Sequence, residues 1–177
     1  MRTLRNFLRD CRATAAVEMA LVVPFLAFIG LNVADMSVYL YTKMQVDLAA
    51  HEAVGSARVL CDTAAKLPAK QGTNCPTLDA TMLAAAQSTT LGTNVTLGAS
   101  TEAFYCVTAP AAVLTQVAAY SATPPADCSA TVATSTAKPG DYISVTASYP
   151  FTSIFPGASI AASLPATITR TAWMRLK

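Results

Sequence analysis

The sequence predicts an α+β protein in which one long amino-terminal helix, half of it in a membrane, packs on a small antiparallel β-sheet. Residues 13–34 are almost wholly apolar, and a helical pattern without proline continues from there to residue 60. Beyond residue 90 the pattern changes to short runs of Val, Thr and aromatic residues between Gly, Ser and Pro turns. Such runs are typical of strands, so the chain is expected to place a helix before a sheet.

The apolar run 13–34 is long enough to cross a membrane once. A helix rises about 1.5 Å per residue, so about 20 apolar residues cover a hydrocarbon core of about 30 Å. Short basic flanks stay in the cytoplasm, and this run follows four arginines, Arg2, Arg5, Arg9 and Arg12. We therefore expect a cytoplasmic amino terminus and export of everything after residue 41. A cleaved secretory signal peptide is the alternative, but its apolar core is typically shorter, so a retained anchor is predicted.

Glu18 is a carboxylate inside this apolar run. Such a charge costs about 2.5–3.5 kcal/mol at the bilayer centre and less near the interface. One interpretation is a tolerated charge that reaches back to the headgroups, helped by the positive end of the helix dipole. The other is a partner for a cation from another chain. Physical chemistry alone leaves both interpretations open.

The second half of the helix carries a narrow stripe of mostly small apolar residues at helical spacing, namely Val46, Ala50, Val54, Ala57 and Leu60. Polar residues occupy another face, among them Lys43, Asp47, His51 and Arg58. We expect the sheet to pack on the stripe, because small residues let it approach closely. Packing against helices of neighbouring subunits is the alternative.

The rest of the chain is predicted to form one short helix and a sheet. The helix is expected at residues 78–89, and a long surface loop at 121–140. Strands are expected at 94–97, 102–108, 113–117, 141–151 and 167–176, although the Ala-rich third run leaves a helix possible. The fourth run is the clearest, because Ile143, Val145 and Ala147 alternate with polar residues.

Four of the five cysteines, Cys61, Cys75, Cys106 and Cys128, follow the apolar run, and Cys11 precedes it. Disulfides persist outside the cytoplasm, and four cysteines allow three connectivities. We predict Cys61–Cys75 and Cys106–Cys128, because each pair brackets one irregular loop. Closing a loop of about 15 residues contributes about 3 kcal/mol in the chain-entropy model. Zinc is not expected, because the sequence has no CxxC motif and one histidine.

Composition and motifs argue against nucleic-acid binding and catalysis. The net charge is +2, and no basic cluster is interleaved with aromatic residues. His51 is interpreted as a solvated helix residue, and phosphate loops and GxSxG motifs are absent from the sequence. No paired-carboxylate site is expected either, because the later acidic residues are scattered, as Asp62, Asp79, Glu102, Asp127 and Asp141. No cofactor, metal, small-molecule substrate or enzymatic activity is therefore predicted.

The string RATAAVEMALVVPF at residues 12–25 resembles the processing and assembly segment of TadE-like pseudopilins, minor subunits of bacterial tight-adherence (Tad) pili. That family has a short basic leader, a small residue, four residues, a Glu and an apolar helix with a proline. The resemblance implies a leader-processing junction between Ala13 and Thr14, an assembly role for Glu18 and a helix kink at Pro24. The family usually has Gly where Ala13 stands, and Phe or Tyr where Met19 stands.

The carboxyl-terminal part is similar to the same family. ISVTASYPFTSIFPG at residues 143–157 and ITRTAWMR at 168–175 resemble a strand closing in Tyr-Pro, a proline loop and a final strand closing in Met-Arg. The similarity leaves out residues 110–139. It implies a pilin-like fold, with a leader at 1–13, a long helix at 14–60 that leaves the membrane at about 35–41, and an exported head at 61–177.

The resemblance also implies a function and a set of partners. It implies a minor pilin or assembly factor of a Tad-type pilus, made in the bacterial inner membrane with its head periplasmic or extracellular. The implied partners are a prepilin peptidase, the inner-membrane assembly platform, other pseudopilins and the major pilin. The alternative is a membrane-anchored periplasmic binding module that never enters a fibre.

Overall fold

The computed structural model describes residues 11–108, 113–133 and 135–177, with side chains from Ala15 onward. Two α-helices precede the strands, α1 at Cys11–Leu60 and α2 at Leu78–Gln87. The strands are β1 (Thr96–Leu97), β2 (Thr101–Thr108), β3 (Val113–Ala119), β4 (Gly140–Pro150) and β5 (Thr167–Arg175). All of their pairings are antiparallel. The predicted α+β, pilin-like fold class is confirmed.

Helix α1 runs for 50 residues, with Pro24 inside it. Its first part is rich in Ala, Leu and Val, and every described side chain from Ala15 to Gly30 is exposed. The most apolar 18-residue window has a mean hydropathy of 2.0, and none of it is buried. By length and composition this helix can cross a membrane. A kink at Pro24 stays a prediction, physically motivated by the hydrogen bond that proline cannot donate.

The chain divides into two compact units, and α1 contributes to both. The span unit contains α1 up to Tyr41 together with Phe151–Ala166, which we call the β4–β5 loop. The sheet unit contains Thr42–Pro150 and Thr167–Lys177. The β4–β5 loop contains one turn of 3-10 helix at Ile160–Ser163.

Strand β4 is the centre of the sheet. It pairs with β5 from Tyr142↔Arg175 to Pro150↔Thr167 along one edge. Along its other edge β2 pairs with its first half and β1 with its second half, while β3 lies outside β2. Ile143, Val145 and Ala147 are all buried, as predicted, but Ser144 from the alternating polar set is buried as well. The strand interpretation of residues 113–117 is also confirmed, and β3 extends it to Ala119.

The core of the sheet unit combines the small stripe of α1 with one face of the sheet. Val46, Ala50, Val54 and Ala57 are fully buried, as predicted, whereas Leu60 is half-buried. Ala49 and Ala53 widen the stripe. Further core side chains come from α2 and the strands, namely Leu78, Met82, Ala86, Ile143, Val145, Ile168 and Ala172, and Val95 before β1 is fully buried as well. Burial of this apolar area, at about 25 cal/mol per Å², is the main force that holds the unit together.

Two cross-links close irregular segments of the sheet unit. Cys61 is joined to Cys75 with their Cα atoms 6.0 Å apart, and Cys106 to Cys128 with theirs 5.8 Å apart. All four cysteines are buried. The first bond ties the end of α1 to the segment before α2, and the second ties the middle of β2 to the loop before β4. The oxidation of these pairs in the exported protein stays a prediction.

Candidate functional site

Glu18 lies on the exposed, apolar part of α1. Its neighbours Val17, Met19 and Leu21 are exposed as well. Among the residues that the structure describes, none forms a hydrogen bond or ion pair with Glu18. The carboxylate therefore stands on an apolar helix surface where a group from another molecule can reach it.

The predicted processing junction lies close to Glu18 on the same helix. The backbone of Ala13 and Thr14 is helical, but their side chains and residues 1–10 lie outside the described part of the chain. Thr14 and Glu18 are four residues apart, which is about one helical turn or 6 Å. A new amino group at Thr14 would therefore stand one turn from the Glu18 carboxylate.

A second polar site lies where the apolar run of α1 ends. Asp35 is fully buried. Its carboxylate accepts hydrogen bonds from the Ser153 hydroxyl at 2.5 Å and from the Ile154 N–H at 2.9 Å. One turn earlier, the side-chain oxygen of Asn32 accepts a hydrogen bond from the Ile160 N–H at 2.8 Å. Two polar side chains of α1 thus hold the β4–β5 loop by its backbone and one hydroxyl.

The comparisons with known proteins bear on this helix. Residues 13–54 match the family model described as TadE-like protein. This segment is TadE-like. Its bounds include the junction Ala13–Thr14, Glu18 and Pro24, so the resemblance stated from the sequence is confirmed over this range. The match spans less than a quarter of the chain, and the carboxyl-terminal similarity lies outside it.

The TadE-like family is a structural family associated with Tad pili, and the matching segment associates this chain with them. No curated protein and no solved structure gives a significant match to the chain.

Asn32 and Asp35 also lie inside the TadE-like segment, and sequence reasoning missed their role. Their partners are more than 115 residues away in the chain, and two polar residues at the end of an apolar run are the only local signal.

The absence of a paired-carboxylate site was a wrong expectation. Glu102 on β2 and Asp141 on β4 belong to the scattered acidic residues. The β2–β4 register pairs Asp141 with Phe104, two residues after Glu102, and thereby places the two carboxyl groups near each other. Both carboxyl groups are buried, with exposed fractions of 5% and 4%. The Glu102 carboxylate accepts the N–H groups of Ala69 and Lys70, each at 2.6 Å.

Asp141 lacks such partners. Its Oδ1 atom is buried without a hydrogen bond from any part of the chain that the structure describes. Burial first, and the neighbouring Glu102 charge second, raise the pKa of the Asp141 carboxyl to about 7. Asp141 borders a cavity of about 340 Å³, with Lys138, Arg175 and Lys177 among the other lining residues. This pair can make the stability of the sheet unit depend on pH near neutrality.

The remaining candidates from the sequence stand apart from these groups. His51 is exposed on α1. Within the described ranges, no cluster of three His, Cys, Asp or Glu side chains is arranged to hold a metal ion. The four cysteines are joined in pairs inside the sheet unit.

Proposed function

We propose that this chain is a minor pilin, or pseudopilin, that takes part in the assembly of a Tad-type pilus for surface adhesion. The observation that carries this proposal is the TadE-like segment at residues 13–54. It coincides with a helix of membrane-spanning length whose apolar surface is exposed and bears the Glu18 carboxylate, which has no partner within the described part of the chain. The role is structural, and no catalytic step is assigned to the chain.

We further propose that α1 crosses the bacterial inner membrane once. The arginines before residue 13 favour a cytoplasmic amino terminus, so the rest of the chain would be periplasmic or extracellular. An exposed apolar helix surface of this size is unfavourable in water and favourable in lipid. The two disulfides of the sheet unit agree with an oxidising compartment.

Leader removal would convert the amino end of α1 into an assembly site. A prepilin peptidase would cut between Ala13 and Thr14 and leave a free α-amino group on Thr14, largely cationic near neutral pH. That cation and the Glu18 carboxylate are each costly alone in lipid. Pairing with the same groups of a neighbouring subunit lowers both costs and fixes the axial register of the two helices, as isolated buried polar groups can do.

The proposed partners follow from this arrangement. The prepilin peptidase reads the junction, and the inner-membrane assembly platform receives the processed helix. Other pseudopilins and the major pilin would supply the apolar helices and the cations that Glu18 and the exposed part of α1 require. Neither nucleic acid nor a small-molecule substrate is among the proposed partners.

A fractionation experiment tests this function. In cells that carry the pilus machinery, the tagged chain is expected to co-purify with the assembly platform or with sheared pili. Deletion of its gene is expected to reduce piliation, and the intact gene is expected to restore it. Normal piliation without the chain, together with a membrane-bound chain that recovers no pilus protein, would overturn the proposal and favour an anchored periplasmic binding module.

A further inference from the structure

The β4–β5 loop follows the apolar part of α1 toward its amino end. Near its start, the ring of Phe151 meets the ring of Tyr39 edge-on, with centroids 5.0 Å apart. Further along, the Ile160 N–H bonds to Asn32. From Tyr39 to Asn32 the helix axis extends about 10 Å. The loop therefore descends by that length along α1, in the direction of the membrane-spanning part.

The β4–β5 loop reaches the level on α1 at which the apolar run ends. Asn32 lies in the last turn of the apolar run 13–34. About 20 residues cross the hydrocarbon core of about 30 Å, and the headgroup layers add about 5–7 Å on each side. Ile160, level with Asn32, therefore lies at the boundary between hydrocarbon and headgroups when α1 spans a bilayer.

Two isoleucines of the β4–β5 loop face outward, while two of its serines form hydrogen bonds with α1 or within the loop. The Ser153 hydroxyl donates to Asp35, and the Ser159 hydroxyl accepts the Ala161 N–H. By contrast, Ile154 and Ile160 are 54% and 63% exposed. No residue from 151 to 166 is charged. Single exposed apolar residues are ordinary, but two on an uncharged loop beside a membrane-length helix form a surface suited to lipid.

The same loop shields the Asp35 carboxylate from the lipid boundary. A carboxylate such as Asp35 is costly at the end of a span unless donors satisfy it. The loop supplies a hydroxyl and an N–H and buries the group completely. At this level the side chains of Asp35 and Asn32 are thus bonded to the loop, as a low-dielectric layer requires of polar groups.

We propose that the β4–β5 loop is a second membrane contact of this chain. Ile154 and Ile160 insert into the headgroup boundary of the leaflet from which α1 emerges, and the partner is the lipid bilayer. With two contacts, the depth of α1 and its rotation about its own axis are both restricted. This contact requires the membrane anchoring of α1 that is part of the proposed function.

Depth-dependent fluorescence quenching in the full chain tests the contact. Trp173, the single tryptophan, is replaced by Phe, and one new tryptophan is then introduced by Ile154→Trp or Ile160→Trp. Two matched variants are Phe25→Trp in the apolar run and Val113→Trp on β3, both at exposed positions. Each protein is reconstituted into phosphatidylcholine vesicles whose acyl chains are brominated close to the headgroup, and the Phe25→Trp protein also into vesicles whose acyl chains are brominated near the bilayer centre.

We expect the tryptophans at positions 154 and 160 to emit at shorter wavelength in vesicles and to lose most of their intensity to the brominated lipid. The tryptophan at position 113 is expected to keep its intensity. Quenching at position 25 without quenching at 154 and 160 would overturn the loop contact and leave the anchor intact. Absence of quenching at position 25 would overturn the anchor itself, and the loop contact with it. A blue shift at 160 without quenching would indicate a protein neighbour instead of lipid and would also overturn the proposal.

Discussion

The carboxylate of Asp35 is held by the hydroxyl of Ser153, a residue 118 positions later in the sequence. The Ile154 N–H donates to the same carboxylate. Hydrogen bonds to a charged group contribute about 1.5–3 kcal/mol each, and a buried carboxylate left without donors is more costly still. This contact therefore contributes to holding the β4–β5 loop on α1.

Replacing Asp35 is expected to loosen that loop. Asp35→Ala removes the acceptor of both bonds, so amide hydrogen exchange at residues 151–166 should quicken, by roughly tenfold or more for a loss of about 1.5 kcal/mol. Hydrogen exchange with mass spectrometry measures this directly. Thr152→Ala, at an exposed neighbouring position, is the control and should change little. Equal protection in the Asp35→Ala protein would show that the loop is held by other contacts.

The amino terminus of the mature protein is expected to be Thr14. The basic leader, the small residue at position 13 and Glu18 four residues beyond Thr14 all favour cleavage after Ala13. Mass spectrometry of the purified chain from cells with the peptidase gives the answer. Ala13→Gly restores the residue usual in TadE-like proteins and should be processed at least as completely. A chain that still begins at Met1 in such cells would contradict this processing.

Glu18→Gln is expected to block assembly without blocking insertion. The substitution removes a charge from the apolar run, so the membrane level of the protein should stay equal or rise. Recovery of pilus partners and piliation should fall, because the amino group of the neighbouring subunit loses its counter-charge. Glu52→Gln changes an exposed carboxylate on the same helix outside the apolar run, so it should behave as wild type. Normal piliation with Glu18→Gln would reduce Glu18 to a tolerated interfacial charge.

In the exported protein, peptide mapping without reductant should find Cys61 linked to Cys75 and Cys106 linked to Cys128. The bonds bridge 14 and 22 residues, and loops of this size are stabilised by about 3 kcal/mol each in the chain-entropy model. Replacing either pair with serines should lower the free energy of unfolding by a similar amount in urea titrations. A link from Cys61 to Cys106 or Cys128 would refute the local pairing, and four free thiols would contradict export to an oxidising compartment.

The sheet unit is expected to be more stable in mild acid than at neutral pH. The folded-state pKa of the Asp141 carboxyl is raised to about 7 from its ordinary value of 3.8. Between these values the folded chain therefore binds the extra proton, and the free energy of unfolding falls as pH rises. Burial and the Glu102 charge are the causes. Asp141→Asn cannot ionise, so it should flatten this dependence, by about 1–3 kcal/mol across the window.

Urea unfolding at about pH 5 and about pH 8 measures the effect. Asp127→Asn is the control, because hydrogen bonds from Ser129 lower the pKa of the exposed Asp127 carboxyl. That substitution should leave the dependence between pH 5 and 8 in place. Equal stability of the wild-type sheet unit at both pH values would show that Asp141 is not protonated in the folded chain.

The features that neighbouring residues determine could be predicted from the sequence. The apolar period of α1 and the alternation of Ile143, Val145 and Ala147 are set by neighbouring residues, so the helix and β4 were predictable. The Asp35–Ser153 contact and the Glu102–Asp141 pair depend on which distant segments meet, and no local pattern encodes that. The TadE-like motif pointed to Glu18, whereas polar residues such as Asn32 looked like mere interruptions of the apolar run.

The position of β4 has a kinetic consequence. This strand must collect partners from both sides of it in the sequence, β1 and β2 before it and β5 after it. Pairing between distant segments loses conformational entropy on loop closure before stabilising contacts form, and this cost slows folding. The Cys106–Cys128 bond lies between β2 and β4 and bypasses 22 residues of that separation. Under the proposed export, β2 would leave the cytoplasm before β4, so early oxidation of this pair should speed the closing of the sheet.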